Sequence, residues 1–154
     1  NIAHSMTALM AQNKGAGKKN RMQEGFRCGM VLESIYGIFI FLVCFIFAKP
    51  LMCLFVQDEE VIMHGVTYLH LISIMYILPA FTNGIQGFFR GIGDLKITLI
   101  SSLVNMTVRV IVAAPLVFSL HLGIEALPYS YLAGWIGMLM AELPLLIRTY
   151  KAYE

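Results

Sequence analysis

The chain is 154 residues long, 58% hydrophobic and 13% charged, with a mean hydropathy of +0.75. Soluble domains carry roughly 45–50% apolar and about 25% charged residues, so this composition excludes a water-soluble globule. A net charge of +2, with no stretch that interleaves aromatics with a basic patch, excludes nucleic acid as a natural partner.

Four apolar runs organise the sequence: Gly29–Ala48, Gly65–Phe89, Ile97–Ser119 and Ile124–Ile147. A helix needs about 20 apolar residues to cross ~30 Å of hydrocarbon, and all four qualify. The expected fold is all-α, a polytopic transmembrane helix bundle whose first partner is the lipid bilayer. From Asn1 the chain enters an apolar helical stretch, Ile2 to Ala11, which reads as the end of a helix over 1–12 in a longer protein. A polar connector holding Gly15 and Gly17 is expected over 13–28. A helix follows over 29–48 and is ended by Lys49-Pro50, because proline disfavours helix at the residue before it. Leu51–Val56 reads as an apolar interfacial turn. Asp58, Glu59 and Glu60 then open a helix over 59–89, since acids are favoured at a helix N-terminus. Helices over 96–119 and 124–150 complete the set. Tyr68, Tyr129, Tyr131, Tyr150 and Tyr153 fall near helix ends, as an aromatic belt requires.

Orientation follows from the basic residues. Lys14, Lys18, Lys19, Arg21 and Arg27 fill the first gap, Arg90 and Lys96 the third, and Arg148 and Lys151 the tail. If the helices cross in sequence, these nine share one side. The opposite side holds Lys49 beside Asp58, Glu59 and Glu60, and later His121 and Glu125. Positive residues stay inside, so the basic side is cytoplasmic and the C-terminus is expected there, in a multi-pass inner or plasma membrane protein.

Polar groups within the apolar runs mark where function can lie. A charge in mid-bilayer costs about 2.5–3.5 kcal/mol on insertion scales and faces a bundle interior or a water-filled cavity. Arg109 lies near the middle of its helix, with Asn105 four residues earlier on the same face and Ser101 and Ser102 continuing toward the inside. This stripe reads either as a cavity lining or as a structural arginine satisfied by carbonyls or a carboxylate elsewhere. Asn83, Gln86 and Thr82 sit below Pro79, and a proline-interrupted helix beside polar side chains is where transporters place sites. Hydrogen bonding between helices is the other reading of that group. Glu33 and Glu142 are the carboxylates inside the runs, each expected one to two turns from the cytoplasmic end. They either snorkel to the interface beside Arg27 and Arg148 or act as a gate or proton relay. Met75, Tyr76, Phe81 and Met106 supply adaptable or aromatic surface for organic cations.

Other chemistries find no support. Cys28, Cys44 and Cys53 lack CxxC spacing, and His64, His70 and His121 at the outer ends do not converge, so no metal site is expected. Gly91-Ile92-Gly93-Asp94 lacks the strand and the lysine of a phosphate loop. No nucleophile–base pair is present, so no catalytic residue, cofactor or enzyme activity is expected.

The connectors carry a specific resemblance. Ala11-Gln12-Asn13-Lys14-Gly15-Ala16-Gly17 followed by Arg21 resembles the cytoplasmic loop of the multidrug and toxic compound extrusion (MATE) family. Arg90-Gly91-Ile92-Gly93-Asp94-Leu95-Lys96 is similar to that family's R-G-x-G-D-T-K turn, with Leu95 in place of threonine. Phe55, Asp58, Glu60-Val61 and Gly65 to Tyr68-Leu69 match its outer connector, and Asn105 with Arg109 resembles the penultimate helix of its C-terminal lobe. The L-D-P element of the N-terminal lobe is absent. The likeness covers nearly the whole chain. It implies a twelve-helix antiporter of two six-helix lobes, of which this segment supplies the end of helix eight and helices nine to twelve. The missing N-terminal lobe would be its partner. Small organic cations would leave as protons or sodium ions enter. Some members of the family place a coupling acid in the helix matching 59–89; here that helix has Asn83 and Gln86 but no membrane-embedded acid, which implies a coupling carboxylate elsewhere. Two other readings are a flippase of lipid-linked precursors and a non-transporting helical subunit. In the last case Arg109 would meet another chain's acid and no central cavity would form.

Overall fold

A computed structural model describes residues 2–118, 121, 123 and 126–151. Asn1, Ser119, Ile124, Glu125 and Tyr153, which entered the helix ends and belts above, lie outside the described residues. Among the described residues the chain is a succession of helices: α1 (Ile2–Gly15), α2 (Lys19–Ile46), α3 (Ala48–Cys53), α4 (Glu59–Met75), α5 (Ile77–Gly91), α6 (Leu95–Phe118) and α7 (Ala126–Lys151). Helices α2, α6 and α7 are each long and apolar enough to cross a membrane. Helices α4 and α5 meet that criterion only as a pair, bent by 48° at the break between them.

The polar connector expected over 13–28 is mostly helix. Lys, Arg, Met, Gln and Glu are good helix formers. Met22, Gly25, Phe26 and Gly29 are buried at helical spacing while Lys19, Arg21, Glu24 and Arg27 face outward. The chain turns only over 16–18. Helix α1 ends in a Schellman cap: Gly17 takes φ +66°, Lys18 N–H donates to the Asn13 carbonyl at 2.9 Å and Gly17 N–H to that of Lys14 at 3.0 Å. The same cap ends α5. Gly93 takes φ +84°, Asp94 N–H donates to the Phe89 carbonyl at 2.9 Å and Gly93 N–H to that of Arg90 at 3.1 Å. The second glycine of each connector motif therefore sits where the backbone demands a left-handed residue.

The outer side differs from expectation in detail. The first long helix stops at Ile46, and Leu51–Val56 is not a plain turn, because α3 runs from Ala48 to Cys53. Pro50 is accommodated within the first turn of α3, where its missing N–H costs nothing. Asp58 caps α4, its carboxylate accepting from the Glu60 and Val61 N–H groups at 3.0 and 3.1 Å.

Helix α5 is the hub. It packs against α1, α2, α6 and α7 and is buried on almost every side. Glycines set its approach to α1: a Cβ on Gly87 would stand 2.8 Å from the Ala3 carbonyl oxygen, and one on Gly91 2.7 Å from that of Thr7. The inner-end core joins Met6, Met10, Met22, Phe26, Phe88 and Phe89, with the Phe26 and Phe88 rings 5.0 Å apart. Helices α6 and α7 form an antiparallel pair across Gly134 and Gly137. Large apolar side chains cover the outer faces of α2 and α6, with Phe39 59% and Val110 68% exposed, which is the surface a bilayer solvates.

Candidate functional site

The break between α4 and α5 builds a cavity lined by polar side chains. Pro79 has no N–H for the Met75 carbonyl four residues back, and its ring crowds that carbonyl. The chain responds with a tight turn: Tyr76 N–H donates to the Ser73 carbonyl at 3.1 Å, and the axis bends by 48°. Across from the break, Gly37 lets α2 approach, since a Cβ there would lie 3.2 Å from the Ala80 Cβ. One turn before Gly37 on the same face is Glu33, 4% exposed. Glu33 and Tyr36 of α2, Tyr76 of the break, Asn83 of α5 and Ile2 of α1 line a cavity of about 380 Å³.

Glu33 is not one to two turns from the helix end. Because α2 begins at Lys19, Glu33 lies about four turns in and is buried rather than drawn to the interface. Asn83 and Gln86 were grouped by sequence, and the structure divides them. Gln86 is buried on the adjacent face of α5, where its amide and the Ser101 hydroxyl of α6 are the polar neighbours of Glu142 on α7. Glu142 is 0% exposed, and neither carboxylate oxygen has a hydrogen-bond partner. Snorkelling or pairing with Arg148 therefore does not describe it; Arg148 points outward.

The Asn105 and Arg109 stripe meets α7. Asn105 Nδ2 donates to Met138 Sδ at 3.5 Å. The Arg109 stem lies over Gly134, and its guanidinium sits 3.7 Å from the Tyr131 ring centroid, which stabilises the cation by about 0.5–2 kcal/mol. Ser101 is buried and donates to the Ile97 carbonyl at 2.8 Å. Ser102 does not continue the face: it is exposed and bonds back to Thr98. Met106 (67% exposed) and Phe81 (38%) point outward, and Met75 is half-buried beside the break without lining the cavity.

The residues of the two connector motifs form a corner. Asn13 is buried and donates to the Leu9 carbonyl at 2.8 Å, Gln12 is exposed, and Lys14 Nζ donates to the Ile92 carbonyl, tying the two capped turns together. Arg90 Nε donates to the Gln86 carbonyl at 3.2 Å. Tyr36 was missed by sequence reasoning. Its signal was its place one turn after Glu33.

Comparison with known proteins agrees with this architecture. The profile of the family described as MatE matches residues 1–116. A probable multidrug resistance protein NorM of Thermotoga maritima is 25% identical over 139 residues, covering 90% of this chain and 28% of that protein. Among solved structures, a multidrug resistance MATE family transporter of the MOP superfamily, in an inward-facing conformation, superposes with a TM-score of 0.89 at 16% identity. It covers 94% of this chain and 33% of that one. The MATE transporter ClbM, in complex with Rb+, gives 0.80 at 18% identity, over 99% of this chain and 36% of that one. The chain thus spans about a third of the length of the proteins it matches.

Proposed function

The chain belongs to the MATE family, and from that membership we propose that it is part of one lobe of a secondary active exporter. This transporter moves small organic cations or other amphipathic compounds outward as protons or sodium ions enter. The carrying observation is the cavity at the α4–α5 break. There a buried carboxylate, two tyrosines and an amide converge in about 380 Å³, within the usual size range of small-ligand pockets. Glu33 supplies the countercharge, the rings of Tyr36 and Tyr76 present faces that attract organic cations, and Asn83 orients a polar group. Its setting, beside a broken helix within a bundle, favours alternating access against a second lobe. The basic ends of α1, α5 and α7 support a reading in which those ends and the C-terminal side face the cytoplasm and the protein lies in the inner or plasma membrane.

The test is reconstitution of the full-length protein carrying this segment into proteoliposomes. Ethidium should move when a proton or sodium gradient is imposed and stop when it is collapsed. Absence of ethidium movement under either gradient, or movement of a lipid-linked precursor instead, overturns the proposal.

A further inference from the structure

A second buried polar site lies apart from the Glu33 cavity, where α5, α6 and α7 meet. We infer that Glu142, with Ser101 and Gln86, is a proton-binding site that loads and unloads during export. Its place in export rests on the antiport reading above; the site itself rests on geometry.

Glu142 is fully enclosed, and both its oxygens lack a hydrogen-bond partner. An ionised carboxylate stripped of water and unpaired is the costliest group to bury, whereas a carboxylic acid is neutral. The neighbours fit the acid. Ser101 commits its own proton to the Ile97 carbonyl at 2.8 Å, so its oxygen is left as an acceptor. It can receive an O–H from the protonated Glu142, and by turning its own O–H away from Ile97 it can donate to the ionised form. The Gln86 amide offers an N–H to the second carboxyl oxygen. Small side-chain rotations would close both bonds for the protonated form, while an ionised form would draw the Ser101 proton away from the Ile97 carbonyl.

Among the described residues, the surrounding charges do not supply a counterion. Helix α6 brings Thr98, Ser101 and Asn105, with Lys96 exposed at its end and Arg109 held over Tyr131. Helix α5 brings Gln86, with Arg90 bonded to the Gln86 carbonyl. Helix α4 brings Tyr68, beside Tyr131 and Arg109. On α7 itself, Tyr150 is partly buried and Arg148 exposed. Toward the basic end, the Thr98 and Tyr150 hydroxyls are also buried without partners. Beyond them opens a cleft of about 650 Å³ lined in part by Lys14, Asp94, Lys96 and Thr149. Loading forms the Glu142 O–H bond with a proton from water. Unloading breaks it, the electron pair stays on the carboxylate, and the proton passes to water reached through that cleft. Gln86 lies one turn from Asn83 on α5, so movement of this helix is felt at both sites.

Infrared difference spectroscopy between acidic and alkaline buffer tests the site on the full-length protein. The wild type should show a carboxylic C=O band that Glu142→Gln lacks, and Ser101→Ala, which keeps the carboxyl, should shift that band. Proton-driven ethidium transport should fall at least ten-fold in Glu142→Gln. A wild-type spectrum without the band, a band unchanged in Glu142→Gln, or a band removed by sodium at constant pH overturns the proton site. If Glu142→Gln does not fold, an unmoved band in Ser101→Ala does the same. A titrating band in a protein that never moves ethidium leaves the proton site standing and removes the antiport reading.

Discussion

Glu33→Gln should weaken ethidium binding at least ten-fold in the full-length protein, measured by fluorescence titration in detergent at equal folded concentration. Glutamine keeps the shape of the side chain and removes its charge. Glu33 is the carboxylate lining the cavity that also holds Tyr36, Tyr76 and Asn83. A bound cation would lose its countercharge, a carboxylate that is itself only 4% exposed. The ring faces would remain, so binding of neutral amphipathic compounds should change far less than ten-fold. Equal ethidium affinity in the two proteins would remove Glu33 from the substrate site. A ten-fold change corresponds to about 1.4 kcal/mol, well within what a single partly desolvated charge contributes.

Gly87→Leu should strongly destabilise the lobe. The carbonyl oxygen of Ala3 lies 2.8 Å from where the first side-chain carbon would stand, and the Ala3 Cα 3.3 Å away. Both belong to backbone, so no rotamer change relieves the collision, and α1 must move off α5. Overpacking typically costs about 1–3 kcal/mol, a large share of the ~5–15 kcal/mol that holds a typical protein folded. The monodisperse fraction on size-exclusion chromatography should fall several-fold. Gly15→Leu, at a position with open space around it, should elute like the wild type. A normal profile for Gly87→Leu would mean that α1 and α5 are not closely packed.

Much of the architecture was legible because membrane solvation is a blunt constraint. Long apolar runs must be helices, and their basic ends were visible by counting. The extent of α2 was harder to read. Its first turns carry so many charges that their periodic Met22 and Phe26 were overlooked, although burial follows the period rather than the polarity. Pro79 implied the bend and a polar site beside it, but not that the cavity there would take Glu33 and Tyr36 from α2. Whether Asn83 and Gln86 share a site depends on which helices surround α5. Because that helix is buried on nearly every side, two residues one turn apart meet different neighbours. The environments of Glu33 and Glu142 were read from their distance along a helix, a one-dimensional measure that cannot show which helix covers a face. Glu142 lies only about two and a half turns from the end of α7 and is still fully enclosed. Tertiary packing, absent from any single run of sequence, decides that outcome.

If exported cations bind in the cavity at the α4–α5 break, that cavity must open to water and a bound cation must cover Asn83. Asn83→Cys, in a full-length protein with Cys28, Cys44 and Cys53 replaced by serine, tests it directly with a membrane-impermeant thiol reagent. The new thiol should react, and ethidium should slow the reaction in proportion to its occupancy. A thiol that never reacts from either side of the membrane, or one whose reaction ethidium leaves unchanged, would contradict it.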